Sequence, residues 1–192
     1  MTSVVLEEIP DRVSLAVDIS NCRGNCVGCH SPFLKFDIGE ELTPAVVDAL
    51  LAANFGVNCF LFLGEGSDPV ALIALARCIR EAHPSLDLAL YSGREEVEKE
   101  LWDVFDYIKL GPYRPEFGPL NERTTNQRLY RVLRPGTGTL CAGVVSESGN
   151  AVPGPFFRAT DGPLPDSRTS GVPVPAEDIT YRFWRKGIDP QA

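Results

Sequence analysis

The sequence predicts an α/β domain built on an open, mostly parallel sheet. Three observations carry this expectation. Apolar segments of strand length alternate with segments of helical pattern, the connections between them are short, and the strands are apolar almost throughout. Strands of the last kind are buried on both faces, as a parallel sheet covered by helices requires. Ligands bind such sheets beyond the carboxyl ends of the strands.

The elements follow in order. VSLAVDI (13–19) reads as a strand that runs into a cysteine-bearing loop. TPAVVDALLAAN (43–54) reads as a helix, with Thr43 as cap and Pro44 in the first turn. VNCFLFL (57–63) is a nearly all-apolar strand, and Asp68-Pro69 opens a second helix that runs to about Ala82. LDLALYS (86–92) is a third strand, and REEVEKELWD (94–103) a third helix with Glu95 and Lys99 at i,i+4 spacing. FDYIKLG (105–111) is a fourth strand and RLYRVL (128–133) a candidate fifth. Between Arg134 and about Pro175 Gly and Pro become dense and no period is visible, which suggests a long loop or partly disordered insertion. DITYRFWRK (178–186) regains aromatic and charged character and suits a short docking helix or strand. The expected divisions are therefore 1–133, 134–177 and 178–192.

At 192 residues and 44% hydrophobic, the chain suits one domain with one sizeable core. Its net charge of −8 makes nucleic acid and anionic membrane poor default partners. No apolar run approaches the roughly 20 residues of a bilayer span. MTSVVLEEIPDR lacks the basic-then-apolar pattern of a secretion signal, so a cytoplasmic location is expected.

Six cysteines are present, and three fall within eight residues. In a reducing compartment clustered cysteines read as metal ligands or reactive thiols, and isolated ones as small buried hydrophobes. Cys59 and Cys78 are expected in the core, and Cys141 is a third isolated position. The cluster is Cys22-Arg-Gly-Asn-Cys26-Val-Gly-Cys29-His30, spaced C-x3-C-x2-C. Its neighbours Asn21, Arg23, Asn25 and Ser31 are polar, so the loop is not core-like. Electron-transfer iron–sulfur proteins supply four cysteines per cluster. Three thiolates leave one iron open to a small molecule, which points to chemistry at the cluster. The competing reading is a structural zinc site, with His30 as an awkwardly adjacent fourth ligand and His83 at a helix end.

C-x3-C-x2-C after the first strand of an α/β chain resembles the radical S-adenosylmethionine superfamily. Within it, NCRGNCVGCHSP followed by LGEGSDP, YSGRE, DYIKLGPY and GPLNERTTNQRLYRV resembles the compact activating proteins of anaerobic ribonucleoside-triphosphate reductase. The likeness covers roughly 7–133 and resumes at DITYRFWRK; the Gly/Pro-rich stretch between is foreign to it. The resemblance implies a partial (β/α) barrel-like open sheet with the cofactor site at the carboxyl edge. It implies a [4Fe–4S] cluster on Cys22, Cys26 and Cys29, with S-adenosylmethionine chelating the open iron. Reductive cleavage of that molecule would yield a 5′-deoxyadenosyl radical, which takes a hydrogen from a backbone glycine of the reductase. A flavodoxin- or ferredoxin-like electron donor is implied as a further partner.

Other cofactor contacts are expected at Gly64, Glu65, Gly66, Ser92, Gly93, Lys109 and Asn126. A Gly-Gly-Glu-like turn in the superfamily holds the methionine amino group, but Gly64-Glu65-Gly66 departs from it, and the turn equally serves to join a strand to the Asp68-capped helix. Ser92 and Gly93 suit a close cofactor contact or an ordinary strand-to-helix turn. Lys109 is a charge within an apolar strand, either facing a polar site, where it would pair with the cofactor carboxylate, or snorkelling at an edge. Asn126 lies in the family-like stretch Thr125–Arg128. Residues 109–134 carry six basic residues against Glu116 and Glu122, either a solvated face or a partner-docking strip that includes Arg128 and Arg131. Two further functions stay open: a radical enzyme acting on another glycyl-radical enzyme or a small molecule, and a non-catalytic iron–sulfur or zinc module.

Overall fold

The computed structural model describes residues 1–24, 26–134 and 175–183. Seven strands form one open sheet in chain order: β1 (Thr2–Val5), β2 (Ser14–Asp18), β3 (Cys59–Leu63), β4 (Asp87–Tyr91), β5 (Tyr107–Leu110), β6 (Arg128–Val132) and β7 (Ala176–Asp178). The strands β2 to β5 run parallel, while β1, β6 and β7 join antiparallel. The α/β expectation therefore holds, with a parallel centre and antiparallel flanks. β1 was not foreseen, because TSVV is short and lies exposed at an edge. Among the described residues no helix is long and apolar enough to cross a membrane.

The helices are α1 (Pro44–Ala53), α2 (Pro69–Ala82) and α3 (Lys99–Val104). Thr43 Oγ1 accepts from the Val46 amide at 3.4 Å and Asp68 Oδ1 from the Ala71 amide at 3.0 Å, so both caps act as the sequence suggests. The third helix starts five residues later than the sequence pattern implies. Arg94 is the reason: its carbonyl accepts from the Gly111 amide at 2.7 Å and its amide donates to Ser92 Oγ at 3.0 Å. Those bonds bind the residue to the sheet edge and leave it unable to open a helix.

The alternation of strand side chains divides the core. Phe60, Phe62, Leu88, Leu90 and Ile108 point to the helices and pack with Trp102, Phe105 and Ile79. Ala16, Cys59, Leu61, Ala89, Tyr107 and Leu129 point to the other face, which Ile9 and Ile179 cover. Cys59 is thus a core thiol, but Cys78 is exposed, contrary to expectation. The buried stripe of α2 runs through Leu72, Ala76 and Ile79, and Cys78 falls outside it.

The chain after the Gly/Pro-rich stretch returns to the sheet. Leu133 donates to the Pro175 carbonyl at 2.9 Å, and β7 pairs with β6 across the boundary expected at 177 and 178. A 3-10 turn, Thr180–Phe183, follows. Residues 135–174, with Cys141, and residues 184–192 lie outside the described part.

Asp106 ties the lower edge together. Its Oδ2 accepts from Arg80 Nη2 at 2.7 Å and from the Leu88 amide at 2.8 Å. Asp106→Ala removes a charged acceptor that serves two elements. The expected loss is about 2 kcal/mol of unfolding free energy, read as a lower urea midpoint with an unchanged denaturant slope.

Candidate functional site

The carboxyl ends of the parallel strands are stitched together by backbone bonds that step across the sheet. Ile19 donates to Leu63 at 3.0 Å, Gly64 to Tyr91 at 3.0 Å and Ser92 to Lys109 at 2.8 Å. Each bond lies just past a strand end, so the loops that follow β2, β3, β4 and β5 leave from one edge. This edge carries the cysteine loop and the turns at Gly64–Gly66 and Ser92–Gly93.

Gly64 and Gly66 adopt positive φ, 106° and 67°. A Cβ on either would come within 3.2 Å of Ile19, the residue that leads into the cysteine loop. The turn therefore needs glycine both for its backbone and for its closeness to that loop. Between them the Glu65 side chain, 10% exposed, turns to the neighbouring strand end. It accepts from Ser92 Oγ and, at 3.1 Å, from Arg94 Nη1. Arg94 also pairs with Glu98 at 3.0 Å. The carboxylates on both sides raise the Arg94 guanidinium above its ordinary value, the Glu98 bond foremost. Glu65 is thus a strut between the β3 and β4 loops, which the sequence pattern alone did not indicate.

The cysteine loop lies on this platform. The Cys22 amide donates to Leu34 at 2.8 Å and the Asn21 amide to Phe36 at 3.3 Å, so the segment around the 3-10 turn Pro32–Lys35 closes back on the loop. A Cβ on Gly24 would stand 3.3 Å from Cys22 Sγ, 3.8 Å from Cys26 Sγ and 3.6 Å from Gly93 Cα. A Cβ on Gly93 would stand 3.1 Å from Cys26 Sγ. The two glycines let the loop rest directly on the end of β4. Cys22 Sγ accepts from the Gly24 amide at 3.3 Å, and Cys26 Sγ from the Tyr113 amide at 3.4 Å. Cys29 follows across the turn at Val27–Gly28 and, like the other two, is half-buried. His30 meets the Tyr113 ring edge-on at 5.6 Å. Among the described residues no group of three or more His, Cys, Asp or Glu side chains gathers around the position of one metal ion.

Beside the loop opens a cleft of about 560 Å³ lined by Arg23, Val27, Gly93, Arg94, Pro112 and Arg114, together with Glu95 and Glu116. Its size falls in the range of small-molecule sites. Arg23 is held by the Ser67 carbonyl and Arg114 by Glu95 at 3.3 Å.

Lys109 and Asn126 are not among the residues that line the cleft. Lys109 is 8% exposed, so it neither snorkels nor marks an edge. Its Nζ donates to the Gly111 carbonyl at 3.1 Å and stands 5.5 Å from the Tyr91 ring centroid. Burial pushes its ammonium down to about 8, against the opposing pull of Cys26, Glu8 and Cys22. Asn126 Nδ2 donates to the Pro112 carbonyl at 2.9 Å, while its buried Oδ1 has no hydrogen-bond partner among the described residues. The basic strip does not present one face: Arg128 lies 3.6 Å from Asp178 and Arg134 3.5 Å from Asp106. Comparison of the chain with family models, curated proteins and solved structures returns no match.

The Lys109 shift has a defined signature in the metal-free protein. A lysine depressed from 10.5 to about 8 on folding binds fewer protons folded than unfolded between those values. Its penalty is therefore full below about pH 8 and is relieved as pH rises toward 10.5. Lys109→Met is expected to be more stable than the parent at pH 7, by on the order of 3 kcal/mol. Urea denaturation of both proteins from pH 7 to 10 checks this: the gap narrows as pH rises.

Proposed function

We propose that the chain is an iron–sulfur activase that reductively cleaves S-adenosylmethionine and generates a glycyl radical on an anaerobic ribonucleoside-triphosphate reductase. The observation that carries the reading is the seat of the cysteine loop. Cys22 and Cys26 flank Gly24 where it meets Gly93, at the carboxyl edge of the parallel strands and beside an open cleft. We read the sheet as the wall of a partial barrel whose carboxyl rim holds the site.

The donor set suits a [4Fe–4S] cluster: three half-buried thiols on one loop, two of them receiving backbone N–H bonds. When bound, the cluster supplies the electron that breaks the sulfonium bond. The chain's own residues orient and shield. Gly93 admits a close approach from above β4. Gly64 and Gly66 hold the β3 loop against Ile19, and Glu65 with Ser92 and Arg94 locks that loop to its neighbour. Arg23, Arg94 and Arg114 line the cleft together with Glu95 and Glu116, and the Arg23 guanidinium, held by a neutral carbonyl, is available to a carboxylate-bearing cofactor. The cleft is open to one side, as entry of a glycine-bearing loop of a protein substrate requires. The electron donor in this reading is of the flavodoxin or ferredoxin kind.

Anaerobic reconstitution with iron and sulfide, followed by reductant, S-adenosylmethionine and the reductase, tests the reading. The expected result is 5′-deoxyadenosine together with a glycyl doublet in the electron paramagnetic resonance spectrum of the reductase. Cleavage without the doublet redirects the enzyme to another substrate. Tight zinc and no cleavage make it a binding module. Replacing Cys22, Cys26 or Cys29 singly by Ala is expected to reduce cluster iron and abolish cleavage.

A further inference from the structure

Lys109 is a buried cation without a buried anion. Among the described residues no Asp or Glu lies within ion-pairing distance of it, and its one hydrogen bond goes to a neutral carbonyl, that of Gly111. A buried charge is ordinarily paired. The negative groups whose charge reaches it are Cys26 foremost, then the Glu8 carboxylate and Cys22. Lys109 pairs with Tyr91 across β4 and β5, and two residues beyond Tyr91 is Gly93, against which Cys26 Sγ rests. On the other strand, two residues beyond Gly111 is Tyr113, whose amide donates to the same sulfur. The strand that carries Lys109 and its neighbour β4 therefore both lead to Cys26. Lys109 does not line the cleft.

We propose that the Lys109 ammonium is a fixed counter-charge for the iron–sulfur cluster held by the cysteine loop, and that it raises the cluster's reduction potential. The inference rests on the iron–sulfur reading above. Three thiolates make the assembly anionic, and reduction adds one electron and no proton, so the reduced state is the more negative. A nearby cation in a low-dielectric setting stabilises that state more than the oxidised one. The anion in turn offsets the cost of burying the lysine in an otherwise apolar strand.

The test is a dithionite titration of the reconstituted cluster, without S-adenosylmethionine, followed by electron paramagnetic resonance. Omitting that molecule separates the effect on the cluster from any on the cofactor carboxylate. Lys109→Met and Lys109→Gln are both expected to shift the midpoint to more negative values, by about tenfold in the reduction equilibrium, or about 59 mV for one electron. Lys109→Arg keeps the charge and is expected to stay near the parent. Iron and sulfide content and urea denaturation establish that each variant is loaded and folded. Loss of the cluster from both neutral variants but not from Lys109→Arg supports the same role. A folded, loaded neutral variant with the parent's midpoint overturns the inference. A parent protein that takes up no iron and sulfide overturns the reading beneath it, and the two failures are told apart by that analysis.

Discussion

The structure depends on a close contact between two glycines. Gly24 of the cysteine loop and Gly93 at the end of β4 meet closely, and cysteine sulfur atoms border the space that a Cβ on either would take. Because of that contact the loop lies on the sheet edge instead of standing away from it. The Gly64–Gly66 turn repeats the device one strand over, against Ile19. At Gly24 and Gly93 glycine supplies nearness, since a methyl group on either would be tight against a cysteine sulfur, while Gly64 and Gly66 also need its freedom at positive φ.

A second constraint is the continuous backbone bonding past the strand ends. It carries the parallel ladder one residue beyond each strand and gives four loops a common base. Glu65, Ser92 and Arg94 then clamp two of those loops by charge-assisted bonds. The consequence reaches α3, which starts late because Arg94 is already committed to the edge. Site rigidity and helix length are in this way set by one residue.

Polarity is distributed with a purpose across the two sheet faces. The helix-covered face is aromatic and aliphatic throughout, with Phe62 edge-on to both Phe60 and Phe105. The other face has thinner cover and admits Lys109 near its carboxyl end. Burial of a lysine in that position opposes its charge, and its ammonium is pushed down to about 8.

Much of the fold was legible in the sequence. Apolar runs located β2 to β6, and the Thr43-Pro44 and Asp68-Pro69 pairs located α1 and α2, because these are local preferences of a few adjacent residues. The cysteine loop and the turns at Gly64–Gly66 and Ser92–Gly93 were legible as a single edge for the same reason. The edge strands β1 and β7 were not, since short exposed strands carry little pattern and form by pairing with a distant partner. The exposure of Cys78 depended on which stripe of α2 found the sheet. Glu65 as a strut, the late start of α3 and the unpaired burial of Lys109 were decided by tertiary structure alone, because each depends on a charge or a carbonyl brought near by the folding of another segment.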